Sequence, residues 1–160
     1  MSPENIMKKI NKFGIKRVCI TGGEPLLQDL GGILDLLDSY SVSIETNGTL
    51  DIERYCGKAT ISLDVKCPCS GNHQMNRASN LALLTMRDQV KFIVRTREDL
   101  TFAYDTIGKH SLVNRTNVFL IPVFGADTRM IADEIISKRM DVRMGLQMHK
   151  HIWSQHKRGV

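Results

Sequence analysis

The sequence predicts an α/β fold built on a mainly parallel sheet, and three observations carry that prediction. Short apolar runs rich in β-branched residues alternate with amphipathic helical patterns along the chain. Six such runs read as strands, with no linker, low-complexity stretch or fixed-period repeat among them. The residues that break the pattern, glycines, prolines and ionisable groups, cluster just after those runs. Parallel sheets hold ligands at that carboxyl rim. At 160 residues and 18.1 kDa the chain reads as one domain, 1–160, large enough to bury roughly 70% of the surface its unfolded chain exposes.

The elements follow in order. Ser2 is a natural helix cap, Pro3 suits the first helical position and Glu4 complements the positive end of the dipole. Ile6, Ile10 and Phe13 then share a face, and Gly14 is the stop. Arg17–Thr21 reads as a buried strand running into Gly22-Gly23-Glu24-Pro25. Leu26 to Leu37 reads as a helix weakened by Gly31-Gly32. Ser41–Glu45 reads as a strand ending in the turn residues Thr46-Asn47-Gly48-Thr49.

Asp51–Cys56 reads as a short helix, and Ala59–Lys66 as a strand ending at Cys67-Pro68-Cys69. Asn80–Met86, Glu98–Ile107 and Thr128–Arg139 read as helices. Gln89–Val94, Asn117–Val123 and Val142–Met148 read as strands. Trp153 is expected to pack the C-terminal segment onto the sheet, and Met130, Met140, Met144 and Met148 to fill core.

Composition removes several function classes. Hydrophobic residues make up 42% and charged residues 24%, which excludes a disordered or collagen-like chain. No apolar run approaches the ~20 residues needed to cross a bilayer, and the N-terminus has no signal-peptide pattern. A cytoplasmic protein is expected. The charge of +5 is spread along the chain, with clusters at Lys8, Lys9 and Lys12 and at Lys157 and Arg158. One Trp, three Tyr and five Phe are not interleaved with those clusters, so direct nucleic-acid binding is not expected. The four cysteines, Cys19, Cys56, Cys67 and Cys69, read as reduced thiols. Cys67 and Cys69 are too close for half a zinc ribbon, and no dedicated metal site is expected.

Gly22-Gly23 before Glu24-Pro25 lets backbone approach a ligand, and the exposed carbonyls and carboxylate would suit an ammonium group. A plain strand-to-helix turn is the competing reading. Glu45-Thr46-Asn47-Gly48 reads either as rim residues or as ordinary Asx-turn chemistry. Asp64 and Lys66 share one strand face, as a salt bridge or as ribose or carboxylate hydrogen-bonders. His149 is structural or a pocket residue.

Together these motifs say more. Val18-Cys-Ile-Thr-Gly-Gly-Glu-Pro-Leu-Leu-Gln28, Ile44-Glu-Thr-Asn-Gly-Thr49 and Ile61-Ser-Leu-Asp-Val-Lys-Cys-Pro68 occur in order with Asp88-Gln-Val-Lys-Phe-Ile-Val94 and Leu146-Gln-Met-His-Lys150. The set resembles the radical S-adenosylmethionine enzymes of the 7-carboxy-7-deazaguanine synthase family, in an archaeal-like form. The resemblance covers essentially the whole chain, and Lys157-Arg-Gly-Val160 resembles a family C-terminus.

The resemblance implies a partial (β/α) barrel of the radical S-adenosylmethionine type with the first strand missing. It implies S-adenosylmethionine contacts from Gly22, Gly23, Glu24 and Pro25 at the amino group, with Gly23 a direct contact. Asp64, Val65 and Lys66 would lie near the ribose, and Ile121, Pro122, Val123 and Phe124 on the adenine side. Thr21 and His149 match substrate positions, with Glu45 and Asn47 on the same rim. The implied reaction contracts the ring of 6-carboxy-5,6,7,8-tetrahydropterin to 7-carboxy-7-deazaguanine, feeding queuosine and archaeosine of tRNA. A [4Fe–4S] cluster cleaves S-adenosylmethionine to the radical that abstracts hydrogen, and magnesium assists.

The family's C-x-x-x-C-x-x-C loop and its adjoining magnesium ligand are absent from this sequence, which reads as N-terminally truncated relative to the family. Residues 1–160 alone are therefore not expected to turn over. The uncovered edge of Arg17–Thr21 is expected to drive self-association, through a homodimer, or to accept a separate N-terminal chain. Two alternatives stand beside this reading: a non-catalytic nucleotide- or pterin-binding remnant without a cluster, and another radical S-adenosylmethionine activating enzyme. The Asp-Val-Lys-Cys-Pro and Gln-Met-His-Lys segments argue against the second.

Overall fold

The computed structural model describes residues 1–153. The expected basic pair Lys157 and Arg158 and the family-like ending at Val160 lie outside them. Six parallel strands form one sheet in sequential order: β1 (Arg17–Ile20), β2 (Ser41–Thr46), β3 (Thr60–Lys66), β4 (Gln89–Val94), β5 (Asn117–Pro122) and β6 (Arg143–Met144). Sequential parallel order with right-handed crossovers puts every connection on the same face. The helices are α1 (Pro3–Asn11), α2 (Gly31–Leu36), α3 (Ala78–Leu83), α4 (Arg97–Lys109), α5 (Thr128–Ser137) and α6 (Met148–Ile152).

Period-two side chains then give the sheet two different faces. Ile44, Ile61, Leu63, Val65, Val90, Phe92, Val94, Val118 and Leu120 are buried in one core cluster with Leu34, Leu37, Leu100, Ala103 and Ile131 from the helical side. The alternate positions, Ser43, Glu45, Asp64, Lys66, Gln89, Lys91 and Ile121, are only half-buried. Such a sheet, helix-covered on one face only, is the partial barrel expected from the sequence.

Local chemistry fixes the elements. The Ser2 side chain caps α1 by accepting from Asn5 N at 3.4 Å. Thr96 and Asp99 form a capping box on α4. The fully buried Asp99 also accepts from Arg95 N at 2.9 Å and Cys69 N at 2.9 Å, so it pins the loop after β3 to α4. Burial raises its pKa, but hydrogen bonds, first among them those from Cys69, outweigh that and leave it below the usual carboxylate range.

Several expectations are corrected. The 26–37 helix is instead a 3₁₀ turn, Pro25–Leu27, then an extended Gln28, then α2. Residues 53–55 are a 3₁₀ turn rather than an α-helix. The final strand shrinks to Arg143–Met144, and Met148 opens α6. Phe13 is 76% exposed because α1 ends at Asn11, before its face reaches it. Met144, Met148 and Trp153 are exposed at the open end of the sheet rather than filling core.

Gly48 sits at φ +72°, and a Cβ there would lie 2.8 Å from Leu63 Cδ1 in the core. Gly48→Ala is expected to lower stability by about 1–3 kcal/mol in urea unfolding, through left-handed strain and overpacking. A change below about 0.5 kcal/mol, typical of a neutral surface site, would contradict this packing.

Candidate functional site

The carboxyl rim begins with the turn after β1. Thr21, Gly22 and Gly23 are exposed, and Gly22 has φ +140°, backbone that only glycine adopts readily. No atom lies within 4 Å of where a Cβ would stand on Gly22 or Gly23, so their backbone is open to a ligand. Thr21 lies beside them and also lines a recess at the free edge of β1.

Glu24 has a different role from the one expected. Its Oε1 accepts from Leu26 N at 3.0 Å and Thr46 Oγ1 at 2.8 Å, and its Oε2 accepts from Asn47 N at 2.8 Å. The carboxylate is committed to tying the end of β1 to the end of β2. Pro25 is buried and opens the 3₁₀ turn. Asn47 Oδ1 accepts from Thr49 N at 3.0 Å and Thr49 Oγ1 at 2.8 Å, the Asx-turn alternative.

On the polar face, strand register sets Asp64 beside Lys91 and Glu45 beside Ser62. Lys66 Nζ lies 3.4 Å from Asp64 Oδ2, so the salt-bridge reading is realised. Lys91, with a side chain only 15% exposed, pairs with Glu45 Oε2 and lies 4.0 Å from Asp64 Oδ1. Burial raises the Asp64 pKa and the charge of Glu45 adds to that, while Lys66 and Lys91 oppose it. Val65 points to the helix side at 3% exposure, which leaves only its backbone facing the rim. The Asn76 side chain clamps the Lys66 backbone, accepting from its N–H at 2.9 Å and donating to its C=O at 2.8 Å.

The third part of the rim follows β5. Val123 N donates to Val94 O at 2.8 Å, extending the sheet to the tip. Pro122, Val123 and Phe124 line a recess of about 270 Å³ closed by Leu146, Gln147 and His151. Phe124 meets the His151 ring edge-on, centroids 5.6 Å apart. Gln147 Oε1 is buried there with no hydrogen-bond partner among the described residues. His149 is exposed on α6 and does not line this recess. Lys91 and Gln147 lie within the motifs that carry the resemblance but have no role assigned by it.

The cysteines do not assemble. Cys19 and Cys69 are exposed, Cys56 is half-buried and Cys67 is buried. Burial pushes Cys67 up to about 12 and, together with Asp99, Cys69 up to about 11, the reverse of what a thiolate ligand needs. Among the described residues no three His, Cys, Asp or Glu side chains come together as a metal site. These residues do not fit a [4Fe–4S] cluster or a magnesium ion. Among the described residues, no helix is long and apolar enough to cross a membrane.

No family model matches the chain. Curated relatives do. A 7-carboxy-7-deazaguanine synthase of Clostridium acetobutylicum is 37% identical over 174 aligned positions, covering all of this chain and 76% of the relative. One from Methanospirillum hungatei is 41% identical over 84% of this chain and 58% of its own length. The crystal structure of QueE from Escherichia coli superposes with a TM-score of 0.71 at 25% identity, covering 92% of this chain and 64% of that one.

Two outcomes test the site. Glu24→Ala is expected to cost about 2–3 kcal/mol in urea unfolding, because it strands Thr46 Oγ1 and the Asn47 N–H. A neutral change would contradict the tie. Lys91→Met is expected to raise the Asp64 pKa further, read by ¹³C carboxyl NMR across a pH series. An unchanged midpoint would place Lys91 outside the network.

Proposed function

The chain belongs to the 7-carboxy-7-deazaguanine synthase family, and on that premise we propose how its rim serves the ring contraction of 6-carboxy-5,6,7,8-tetrahydropterin to 7-carboxy-7-deazaguanine, with loss of ammonia. One observation carries the assignment to this rim. Open glycine backbone, a cluster of two carboxylates with two lysines, and an apolar recess with an orphaned acceptor all stand at the carboxyl ends of one parallel sheet. That combination suits a zwitterionic nucleoside and a polar heterocycle.

The Gly22 and Gly23 carbonyls would take the amino group of S-adenosylmethionine, and Asp64 and Lys66 its ribose hydroxyls. The Ile121–Phe124 tip, with the Gln147 acceptor, would take its adenine. When bound, S-adenosylmethionine supplies the group that removes a hydrogen atom from the substrate. Thr21 and Glu45 face the pterin in this reading, with Glu45 suited to the paired N–H donors of a pterin edge. Lys91 holds the Glu45 side chain in place through their ion pair. The protein's share is binding, orientation and fixed charge.

A cluster and magnesium would have to be held by polypeptide other than the described residues. The free edge of β1, with its apolar recess lined by Ile6, Ile10, Val18 and Ile20, is where a further strand would pair. The setting is the cytoplasm, and the product a precursor of the 7-deazapurines of tRNA. The comparisons favour the synthase over a binding domain without a cluster.

The test is product formation. Protein from its native cells, supplied anaerobically with iron, sulfide, S-adenosylmethionine and the tetrahydropterin, is expected to form 7-carboxy-7-deazaguanine by mass spectrometry. Absence of product from cluster-loaded protein would overturn the reading. Residues 1–160 alone are expected to form no [4Fe–4S] cluster on reconstitution. A four-iron EPR spectrum from them would contradict the cysteine geometry.

A further inference from the structure

A second recess lies behind the rim, against the helix-covered face of β3. It measures about 150 Å³ and sits between β3, the 3₁₀ turn His73–Met75, the start of α3 and the end of α4. A cavity of that size accepts a benzene-sized ring. Its apolar wall comes from Leu63, Val65, Leu81 and Phe102. Phe102 is met edge-on by the His73 ring, centroids 6.0 Å apart.

The polar lining is mostly basic, with Asp64 its one carboxylate and Asn76 and Thr106 neutral. His73, Arg77, Lys109 and His110 are all donors to an anion. Lys109 is exposed and makes no ion pair among the described residues. Arg77 is already engaged, donating from Nη2 to Asp51 and from Nε to Ser79. The one carboxylate in the lining, Asp64, is engaged by Lys66 and Lys91. His73 Nδ1 is buried with no partner among the described residues.

We propose that this recess is a second ligand site, for a small aromatic carboxylate. The ring packs on Leu63, Leu81 and Phe102, and the carboxylate is held by Lys109 and His110. A bare inorganic anion would leave the apolar wall uncovered, and a neutral ring would leave the cations unused. Gly48, in the rim loop that Glu24 anchors, also lines the recess, so an occupant bears on the back of that loop.

Benzoate is the probe, titrated into the ¹⁵N-labelled chain with amide shifts followed by NMR. Saturable shifts at Leu63, Leu81, Phe102 and Gly48 are expected. Benzyl alcohol and inorganic phosphate should each bind about tenfold more weakly or not at all, reflecting roughly one charge-assisted contact or the ring's burial. Lys109→Met, on an exposed helix end, should weaken benzoate about fivefold or more. Ala78→Phe, which fills the opening from an exposed position, should abolish it. Equal binding of benzyl alcohol, binding by phosphate alone, shifts confined to the rim, or no saturation would each overturn the proposal.

Discussion

The Glu24 carboxylate is the interaction on which the rim depends. Two parallel strands that end side by side have carboxyl-terminal loops free to diverge, because the sheet ladder stops there. Glu24 closes that gap with three accepted hydrogen bonds, one from its own turn and two from the end of β2. The buried Thr46 hydroxyl gains its acceptor, and the loop containing Asn47 and Gly48 is held against the glycine turn. Because the side chain does the fastening, the Gly22 and Gly23 backbone stays uncovered. Fastening and uncovered backbone are thus divided between neighbouring residues of one short motif.

A second constraint is the unequal treatment of the sheet's faces. Helices dry one face; the other keeps ionisable groups half in water, where Glu45, Asp64, Lys66 and Lys91 neutralise one another. A paired set of this kind adds little net stability, because desolvation offsets much of the attraction. Its value is a preoriented set of donors and acceptors. The acids also respond to pH in opposite senses. Asp64, raised by burial, favours its protonated form in the fold, so its contribution to stability is present at low pH and is lost as pH rises above its ordinary 3.8 through the raised value. Asp99, lowered by its hydrogen bonds despite burial, contributes stability above 3.8 that is lost as pH falls through the lowered value.

Much of this was legible in the amino-acid order, for identifiable reasons. Gln89–Val94 is a strand as read because its alternation matches a half-covered sheet, and Ser2-Pro3 starts α1 because cap and ring chemistry are local. Leu26–Leu37 departs from the helical pattern because Glu24 caps a three-residue 3₁₀ turn at Leu26 N while its carboxylate also reaches across to β2, a long-range contact that spacing does not reveal. The glycine turn and the Asp64–Lys66 pair stood out as residues of unusual type. Lys91 did not, although its place between Val90 and Phe92 marks it as a charge on the polar face. Gln147 and His151 enter through the fold of α6 over Phe124, which no spacing announces, and the same turn carries His149 outward.

The central claim is that the rim, and not the recess on the helical face, receives the nucleoside. A crystal structure of the chain with S-adenosylhomocysteine tests it most directly. The account predicts the adenine at Val123–Phe124 and Gln147, the ribose at Asp64 and Lys66, and the amino group at the Gly22 and Gly23 carbonyls. Density at any other place on the molecule, with an empty rim, would contradict it.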